Sequence, residues 1–214
     1  MLETSRMTPD PITDTDKTPI DEALRVMRDK RVRRLPVVNA NGKLVGIVAE
    51  KDILYASPSP ATSLSIHEIH YLVSKLTVGE IMIKNVLTIT DDTPLEEAAR
   101  VMADHRIGAL PVMRDSKLVG IITETDIFKA LLELMGAREP GVRLTMRMPE
   151  GQGVLPLCTE TMTSLGGRVL ALLTWSAEEP DYRMVTVKVT GVGREKLTEG
   201  IGKLGVEILD VRES

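Results

Sequence analysis

The sequence is poor in cysteine, in aromatic residues and in long hydrophobic runs. Its 214 residues include one cysteine, one tryptophan, one phenylalanine and three tyrosines. The lone Cys158 excludes an internal disulfide and gives no support to a metal cluster. Scarce aromatics argue against a platform that stacks nucleic-acid bases. No apolar run is long enough to cross a membrane, and the first residues lack the apolar core of a signal peptide, so we expect a cytoplasmic protein.

Excess positive charge and catalytic motifs are also missing. The net charge of −4 argues against a general nucleic-acid binder, although the run from Arg25 to Arg34 is locally basic. His67 and His70 are one residue too close for a zinc-protease helix, and the acidic stretch from Asp10 to Asp16 lacks the glycine of a calcium loop. We find no phosphate-cradling loop or Gly-x-Ser-x-Gly motif. We therefore expect a non-enzyme without a metal or catalytic cofactor.

What the sequence does contain is a repeat. Lys43 to Leu54 (KLVGIVAEKDIL) recurs almost unchanged at Lys117 to Phe128 (KLVGIITETDIF). The match continues towards the amino terminus, pairing Thr18 with Thr93, Thr13 with Thr88 and Met7 with Met82. Self-similarity of this extent indicates two copies of one structural unit.

Each copy predicts a helix, a β-hairpin and a short second helix. The helices open on Thr18-Pro19 and Thr93-Pro94, a near-capping-box pattern with proline as the first helical residue. The hairpin strands Arg34 to Val38 and Lys43 to Ala49 flank Asn41-Gly42, and the second copy has the shorter loop Arg114 to Ser116. We expect the short helices to begin at Asp52 and Asp126. A capping box and an apolar stripe predict another helix between the copies, at Ser65 to Leu76.

After the boundary at Arg138 to Gly141, the pattern becomes strand, helix, strand, strand, helix, strand. The predicted strands are Val142–Met148, Arg168–Thr174, Arg183–Val189 and Val206–Val211, and the helices are roughly Leu155–Leu165 and Arg194–Leu204. This order predicts a sheet with both helices on one face, the ferredoxin-like arrangement.

These motifs resemble known families. The paired Thr-Pro, Leu-Pro-Val and Gly-Ile-x-x-Glu-x-Asp-Ile motifs resemble a tandem pair of cystathionine-β-synthase (CBS) domains, and Pro149 to Leu155 resembles the glycine turn of an ACT domain. The combination is similar to bacterial acetoin-utilisation B proteins. The implied fold is α/β (α+β): a CBS pair plus a βαββαβ ACT domain. We predict CBS domains at 1–56 and 78–136, a linker helix region at 57–77, a linker at 137–141 and an ACT-like domain at 142–214.

The CBS resemblance implies a cleft between the copies that holds an adenine nucleotide such as AMP, ADP or ATP, or S-adenosylmethionine. Gly120, Thr123 and Asp126 match the family's ribose-binding pattern fully, whereas the first copy has Asp52 but Ala49 in place of the hydroxyl. A carboxylate accepts hydrogen bonds from both ribose hydroxyls, and a threonine hydroxyl assists it. We therefore expect Asp126→Ala to weaken nucleotide binding more than Asp52→Ala. Helix capping by Thr123 and Asp126 is the alternative interpretation.

The remaining contacts implied by the resemblance come from the opening strand of each copy and from the residues before Leu-Pro-Val. They are Ile12, Val32, Arg33 and Arg34 in the first copy, and Leu87, Ile107, Gly108 and Ala109 in the second. The aliphatic residues would enclose adenine. Arg33 and Arg34 would neutralise phosphate, with bidentate geometry suited to it. Because these arginines lie in the first copy and the full ribose motif in the second, a functional cleft would be assembled from both copies.

The ACT resemblance implies dimerisation, or amino-acid or small-metabolite binding, at a turn formed by Gly151, Gly153, Val154 and Leu155. A tight turn without a ligand is the alternative. The leading hypothesis is a regulatory homodimer that responds to an adenine nucleotide. The resemblance suggests a protein partner in acetyl or acetoin metabolism. One alternative is a dimeric scaffold with empty clefts, and another is a nucleic-acid regulator that uses the basic run.

Overall fold

The computed structural model describes residues 6–56, 75–151 and 153–213. These residues form two compact units, divided between Ile127 and Phe128. Residues 65–74 of the predicted linker helix lie outside the described part of the chain. Within that part, no helix is both long enough and apolar enough to cross a membrane.

The first copy contains the predicted helix, hairpin and short helix. Its elements are β1 (Thr8–Pro9), β2 (Asp14–Thr15), α1 (Ile20–Lys30), β3 (Arg34–Val38), β4 (Leu44–Ala49) and α2 (Glu50–Ala56). Strands β2, β3 and β4 form one sheet, in which β3 and β4 are antiparallel. Gly42 has a φ of +74°, a conformation that glycine adopts without steric cost, so the hairpin predicted from Asn41-Gly42 is confirmed.

The second copy repeats these elements. They are α3 (Val78–Ile81), β5 (Ile89–Thr90), α4 (Leu95–His105), β6 (Ala109–Arg114), β7 (Lys117–Thr123) and α5 (Glu124–Leu134). Asp115 and Ser116 join β6 to β7 with φ values of 47° and 63°. Two consecutive left-handed residues are the geometry of the tight turns that match the twist of a hairpin. The shorter loop of the second copy is therefore a two-residue turn.

Two predicted helix starts were wrong. Thr18 does not cap α1, because its hydroxyl donates to Asp14 Oδ1 at 2.5 Å and lies 2.9 Å from the hydroxyl of Thr15. Thr93 instead accepts a hydrogen bond from the backbone N–H of Thr90. Both threonines close the turn before the helix, and the helices begin one residue after proline. The short helices α2 and α5 begin two residues earlier than predicted, at Glu50 and Glu124.

The segment that opens each copy pairs with a strand of the other copy. Strand β1, from the start of the first copy, pairs antiparallel with β7 of the second, and Ile83, from the start of the second, bridges to Ile47 in β4 of the first. Glycine permits both approaches: a Cβ on Gly46 would overlap the sulfur of Met82, and one on Gly120 would overlap that of Met7. Val78 also lies in the core of the first copy. Residues 1–127 are consequently a single compact unit.

The carboxyl-terminal unit has the predicted βαββαβ order. Its elements are β8 (Val142–Pro149), α6 (Val154–Ser164), β9 (Arg168–Ser176), β10 (Tyr182–Thr190), α7 (Arg194–Gly202) and β11 (Glu207–Glu213). The sheet is antiparallel throughout, in the order β11-β8-β10-β9. Alternate residues of β8, such as Leu144 and Met146, form the core with buried residues of α6 and α7. This arrangement agrees with the ferredoxin-like prediction.

Polar residues alternate with these core residues and form the opposite face of the sheet. Thr145 and Thr186 lie opposite each other on β8 and β10, and their hydroxyls are 2.8 Å apart. Lys188 is only 5% exposed, and its Nζ donates to the carbonyl of Gly136 at 2.9 Å. A cation beside the last carbonyls of a helix interacts favourably with the helix dipole. Lys188 therefore stabilises the turn that follows α5.

Candidate functional site

A cavity of about 360 Å³ lies between the two copies. The first copy contributes the end of β4 and the start of α2, including Ala49 and Asp52. The second contributes the segment from Ile83 to Leu87 and the residues from Arg106 to Ala109. This volume is within the usual range for small-molecule sites. The strand exchange creates the cavity, because it places the opening segment of the second copy against β4 of the first.

Asp52 provides a carboxylate at the cavity wall. Its Oδ2 accepts the backbone N–H of Ala49 at 3.0 Å, which fixes the side chain at the start of α2. Its Oδ1 has no hydrogen-bond partner among the described residues. Because an ionised carboxylate oxygen accepts several hydrogen bonds, Oδ1 can take the hydroxyls of a sugar. Alanine at position 49 removes a hydroxyl but leaves the carboxylate accessible.

Two side chains of opposite charge, those of Arg34 and Glu124, lie beside Gly108 in the cavity lining. A Cβ on Gly108 would overlap Nη2 of Arg34 and would lie 2.6 Å from Oε2 of Glu124. Within the described part of the chain, Arg34 has no ion-pair partner. Arg34 is half-buried and lines the cavity, and its guanidinium group has planar donors that suit a phosphate.

Aliphatic side chains form the remaining wall. Ile83 is 51% exposed and Leu87 is 42% exposed, although both are large hydrophobic residues. They share the cavity lining with Ile47, Val86 and Ile107. A flat aromatic ring between such side chains buries apolar area on both of its faces, so the wall suits a purine even without protein aromatics.

The cavity is lined by six of the residues predicted from sequence to bind the nucleotide and by three charged residues that the sequence did not predict. The six are Arg34, Asp52, Leu87, Ile107, Gly108 and Ala109, and the three are Lys51, Arg106 and Glu124. Each missed residue is next to a predicted residue or lies two positions away, so an analysis of charge around the motifs would have found it. With these additions, the lining has three basic and two acidic side chains.

The other predicted residues lie outside this cavity lining. Thr123 donates to Asp126 Oδ2 through its backbone N–H at 3.0 Å, as Ala49 does to Asp52, and also through its hydroxyl at 2.7 Å. Gly120 pairs with Pro9 of β1 and faces Met7. Arg33 and Ile12 are exposed, whereas Val32 is half-buried against the first core. Their place in a ligand site stays a prediction.

A second cavity, of about 370 Å³, adjoins the glycine turn of the carboxyl-terminal unit. Gly151, Val154 and Leu155 line it, together with the charged pair of Arg183 and Glu150. Nε of Arg183 lies 3.8 Å from Glu150 Oε1 and is buried without a hydrogen bond among the described residues. Gly153 has a φ of +104° and directly precedes α6. Glycine adopts a positive φ without steric cost, so this turn favours glycine at position 153.

The described residues support neither a metal site nor a reactive cysteine. Their histidine, cysteine and acidic side chains contain no group arranged to hold a metal ion. Cys158 is fully buried, and burial raises the pKa of its thiol, so the reactive thiolate is disfavoured.

Comparison with known proteins identifies the amino-terminal unit. The profile of the CBS domain matches residues 4–59 and 78–133, which together are just over half of the chain. The chain therefore belongs to the CBS-domain family and contains a tandem CBS pair. It spans 21% of the length of one curated relative and 57% of another, so the activities of those whole proteins do not transfer to it.

Solved structures share this fold over about two thirds of the chain. A protein assigned to acetoin utilization (AcuB) from Vibrio cholerae is 31% identical, with a TM-score of 0.53 over 65% of this chain and 96% of that one. The CBS pair of protein MJ0100, solved with 5-methylthioadenosine and S-adenosyl-L-methionine, is 30% identical (TM-score 0.52; 65% and 98%). CBSX2 of Arabidopsis thaliana, solved with AMP, is 33% identical (TM-score 0.51; 61% and 96%).

Proposed function

We propose that this protein is a non-enzymatic regulator whose CBS pair binds an adenine nucleotide in the cavity between the copies. One observation carries the proposal: a single cavity combines the carboxylate of Asp52, the guanidinium of Arg34, which has no ion-pair partner among the described residues, and an aliphatic wall. These groups match ribose, phosphate and adenine respectively. The AMP complex of CBSX2 supports the same ligand class.

Regulation follows if the nucleotide favours one arrangement of the copies over another. A ligand shifts a conformational equilibrium only by its difference in affinity for the two states. The cavity lining comes from both copies, so a bound nucleotide contacts both, and its affinity depends on how the two copies are arranged. Likeness to the Vibrio cholerae protein supports acetoin or acetyl-unit metabolism as the setting of the regulated partner.

Isothermal titration calorimetry with AMP, ADP, ATP and S-adenosylmethionine tests the proposal. We expect binding of at least one phosphate-bearing ligand. Arg34→Ala should weaken that binding roughly 10-fold or more, since hydrogen bonds to a charged group contribute about 1.5 to 3 kcal/mol. Arg25→Ala is the matched control, because that side chain is 72% exposed on α1 and outside the cavity. Absence of heat with every adenosine ligand would contradict nucleotide binding and favour the empty scaffold.

The carboxyl-terminal unit has the second role in the proposal: as an ACT-like domain, it joins two copies of the chain or senses a small metabolite. The cavity beside the glycine turn favours the sensing role, because Arg183 and Glu150 offer opposite charges to a zwitterion such as an amino acid. Titration of free amino acids in the same calorimeter tests this. Heat that persists unchanged in Arg183→Met would place the ligand elsewhere.

A further inference from the structure

We propose that a second cavity between the two copies binds a small phosphate-bearing ligand, at a site separate from the nucleotide cavity. This cavity, which we call the lysine groove, has a volume of about 460 Å³ and is lined by Lys43 and Lys84. The rest of its lining comes from the start of β4, from strand β5 and the residues before it, and from the turn between β6 and β7. Of the described residues that line the groove, only Val86 also lines the nucleotide cavity.

The segment that opens the second copy separates the two sites. Ile83, Asn85 and Leu87 line the nucleotide cavity, whereas Lys84 and Thr88 line the lysine groove. Alternate residues thus serve opposite sides of the segment, as they do along an extended chain. A ligand in the groove would therefore contact side chains that the nucleotide does not use.

A bulge in β4 adds apolar surface to the lysine groove. The pairing of β4 with β3 skips Val45, which is the extra residue of the bulge. Successive residues of a regular strand point to opposite faces, but a bulge redirects a side chain. Leu44 and Val45 consequently both line the groove, together with Val86 and Met113. Burial against these side chains would favour a phosphate that carries an apolar group.

Two lysines and two hydroxyl groups supply donors for the phosphate. Lys43 and Lys84 are exposed, and neither ammonium group has an ion-pair partner within the described part of the chain. The hydroxyls of Thr88 and Ser116 likewise have no hydrogen-bond partner among the described residues. Ammonium and hydroxyl groups both donate to phosphate oxygens. Asp115 is the one acidic residue of this lining, so the groove is net positive in a chain whose net charge is −4.

The repeat shows that the fold does not require a lysine at position 84. The alignment that pairs Thr13 with Thr88 places Pro9 of the first copy opposite Lys84. Pro9 lies in β1, which nevertheless pairs with β7 of the other copy. An uncharged residue therefore suffices for this pairing, and the positive charge of Lys84 is available to bind a ligand.

Amide chemical shifts of the full chain, measured by NMR during titration with phenyl phosphate and with inorganic phosphate, test the proposal. Salt at about 0.15 M screens the more distant surface charges. We expect the amides of Lys84, Thr88 and Ser116 to shift on binding, and those of Ala49 and Gly108 in the nucleotide cavity to stay unchanged. Tighter binding of phenyl phosphate would identify an organic phosphate as the ligand class, and equal binding of the two probes would identify free phosphate.

Two lysine variants make this experiment specific. Lys84→Met should raise the dissociation constant for phenyl phosphate about 10-fold, since it removes a charged hydrogen-bond donor. Lys117→Met is the matched control and should leave the constant within about two-fold, because Lys117 is the exposed repeat equivalent of Lys43 and lies outside the groove lining. The amide spectrum establishes that each variant is folded, and Lys43→Met replaces Lys84→Met if the latter does not fold.

Three results would overturn the proposal: absence of shifts with either probe, shifts confined to the nucleotide cavity, or equal weakening by Lys84→Met and Lys117→Met. Binding of an adenine nucleotide is a separate titration, and Lys84→Met should leave its affinity within about two-fold because Lys84 lies outside that cavity. Failure of the lysine groove is therefore distinguishable from failure of the nucleotide proposal.

Discussion

Replacing Asp52 by alanine is expected to weaken adenine-nucleotide binding about 10- to 100-fold, since hydrogen bonds to a charged acceptor contribute roughly 1.5 to 3 kcal/mol. Oδ1 of Asp52 is the carboxylate oxygen open to a ribose in the cavity, whereas Oδ2 is already bonded to Ala49. The measurement is the dissociation constant by calorimetry, with the ligand that binds the wild-type protein.

Two variants make the Asp52 experiment specific. Asp52→Asn keeps an acceptor for the Ala49 N–H and so preserves the start of α2, and its loss of affinity reports the charge alone. Asp126→Ala removes the corresponding carboxylate of the second copy, whose Oδ2 already accepts two hydrogen bonds from Thr123. A larger effect of Asp126→Ala than of Asp52→Ala would support the ranking drawn from sequence and would move the proposed site away from this cavity.

Leu35→Ala is expected to lower the free energy of unfolding of the CBS pair by about 2 to 5 kcal/mol, the usual cost of a cavity at a fully buried leucine. Leu35 has no solvent exposure and lies in the core with Ile20 and Val78. Because β1 and Ile83 are exchanged between the copies, we expect the effect to extend to the second copy. Urea denaturation measures the stability, and amide hydrogen exchange should show reduced protection in β7.

Leu54→Ala is the control for this experiment, because Leu54 is 53% exposed in the same copy. A surface change of this kind normally alters stability by no more than about 0.5 kcal/mol. Unchanged exchange in β7 of Leu35→Ala, despite a large loss of stability, would show that the copies unfold separately. The exchanged segments would then contribute little to the cohesion of the unit.

Much of the fold was predictable because its signals are local. The hairpins follow from the glycine in the first loop and from the short loop in the second, and α1 and α4 follow from apolar residues spaced along one helical face. The order of elements in the carboxyl-terminal unit also follows from local patterns. The helix starts were less predictable, since the hydroxyls of Thr18 and Thr93 bond to other partners in the preceding turn.

The repeat and its motifs were determined by the sequence alone, since similar segments fold into equivalent units and carry the family's pattern. Only the tertiary structure decided which residues share a cavity. Asp52 of the first copy and Gly108 of the second line one cavity because β1 and the segment around Ile83 cross between the copies. Those contacts join residues far apart in the chain, and no local period or propensity encodes them. Arg34 and Glu124 likewise both approach Gly108, an arrangement that depends on the packing of two hairpins and not on either one separately.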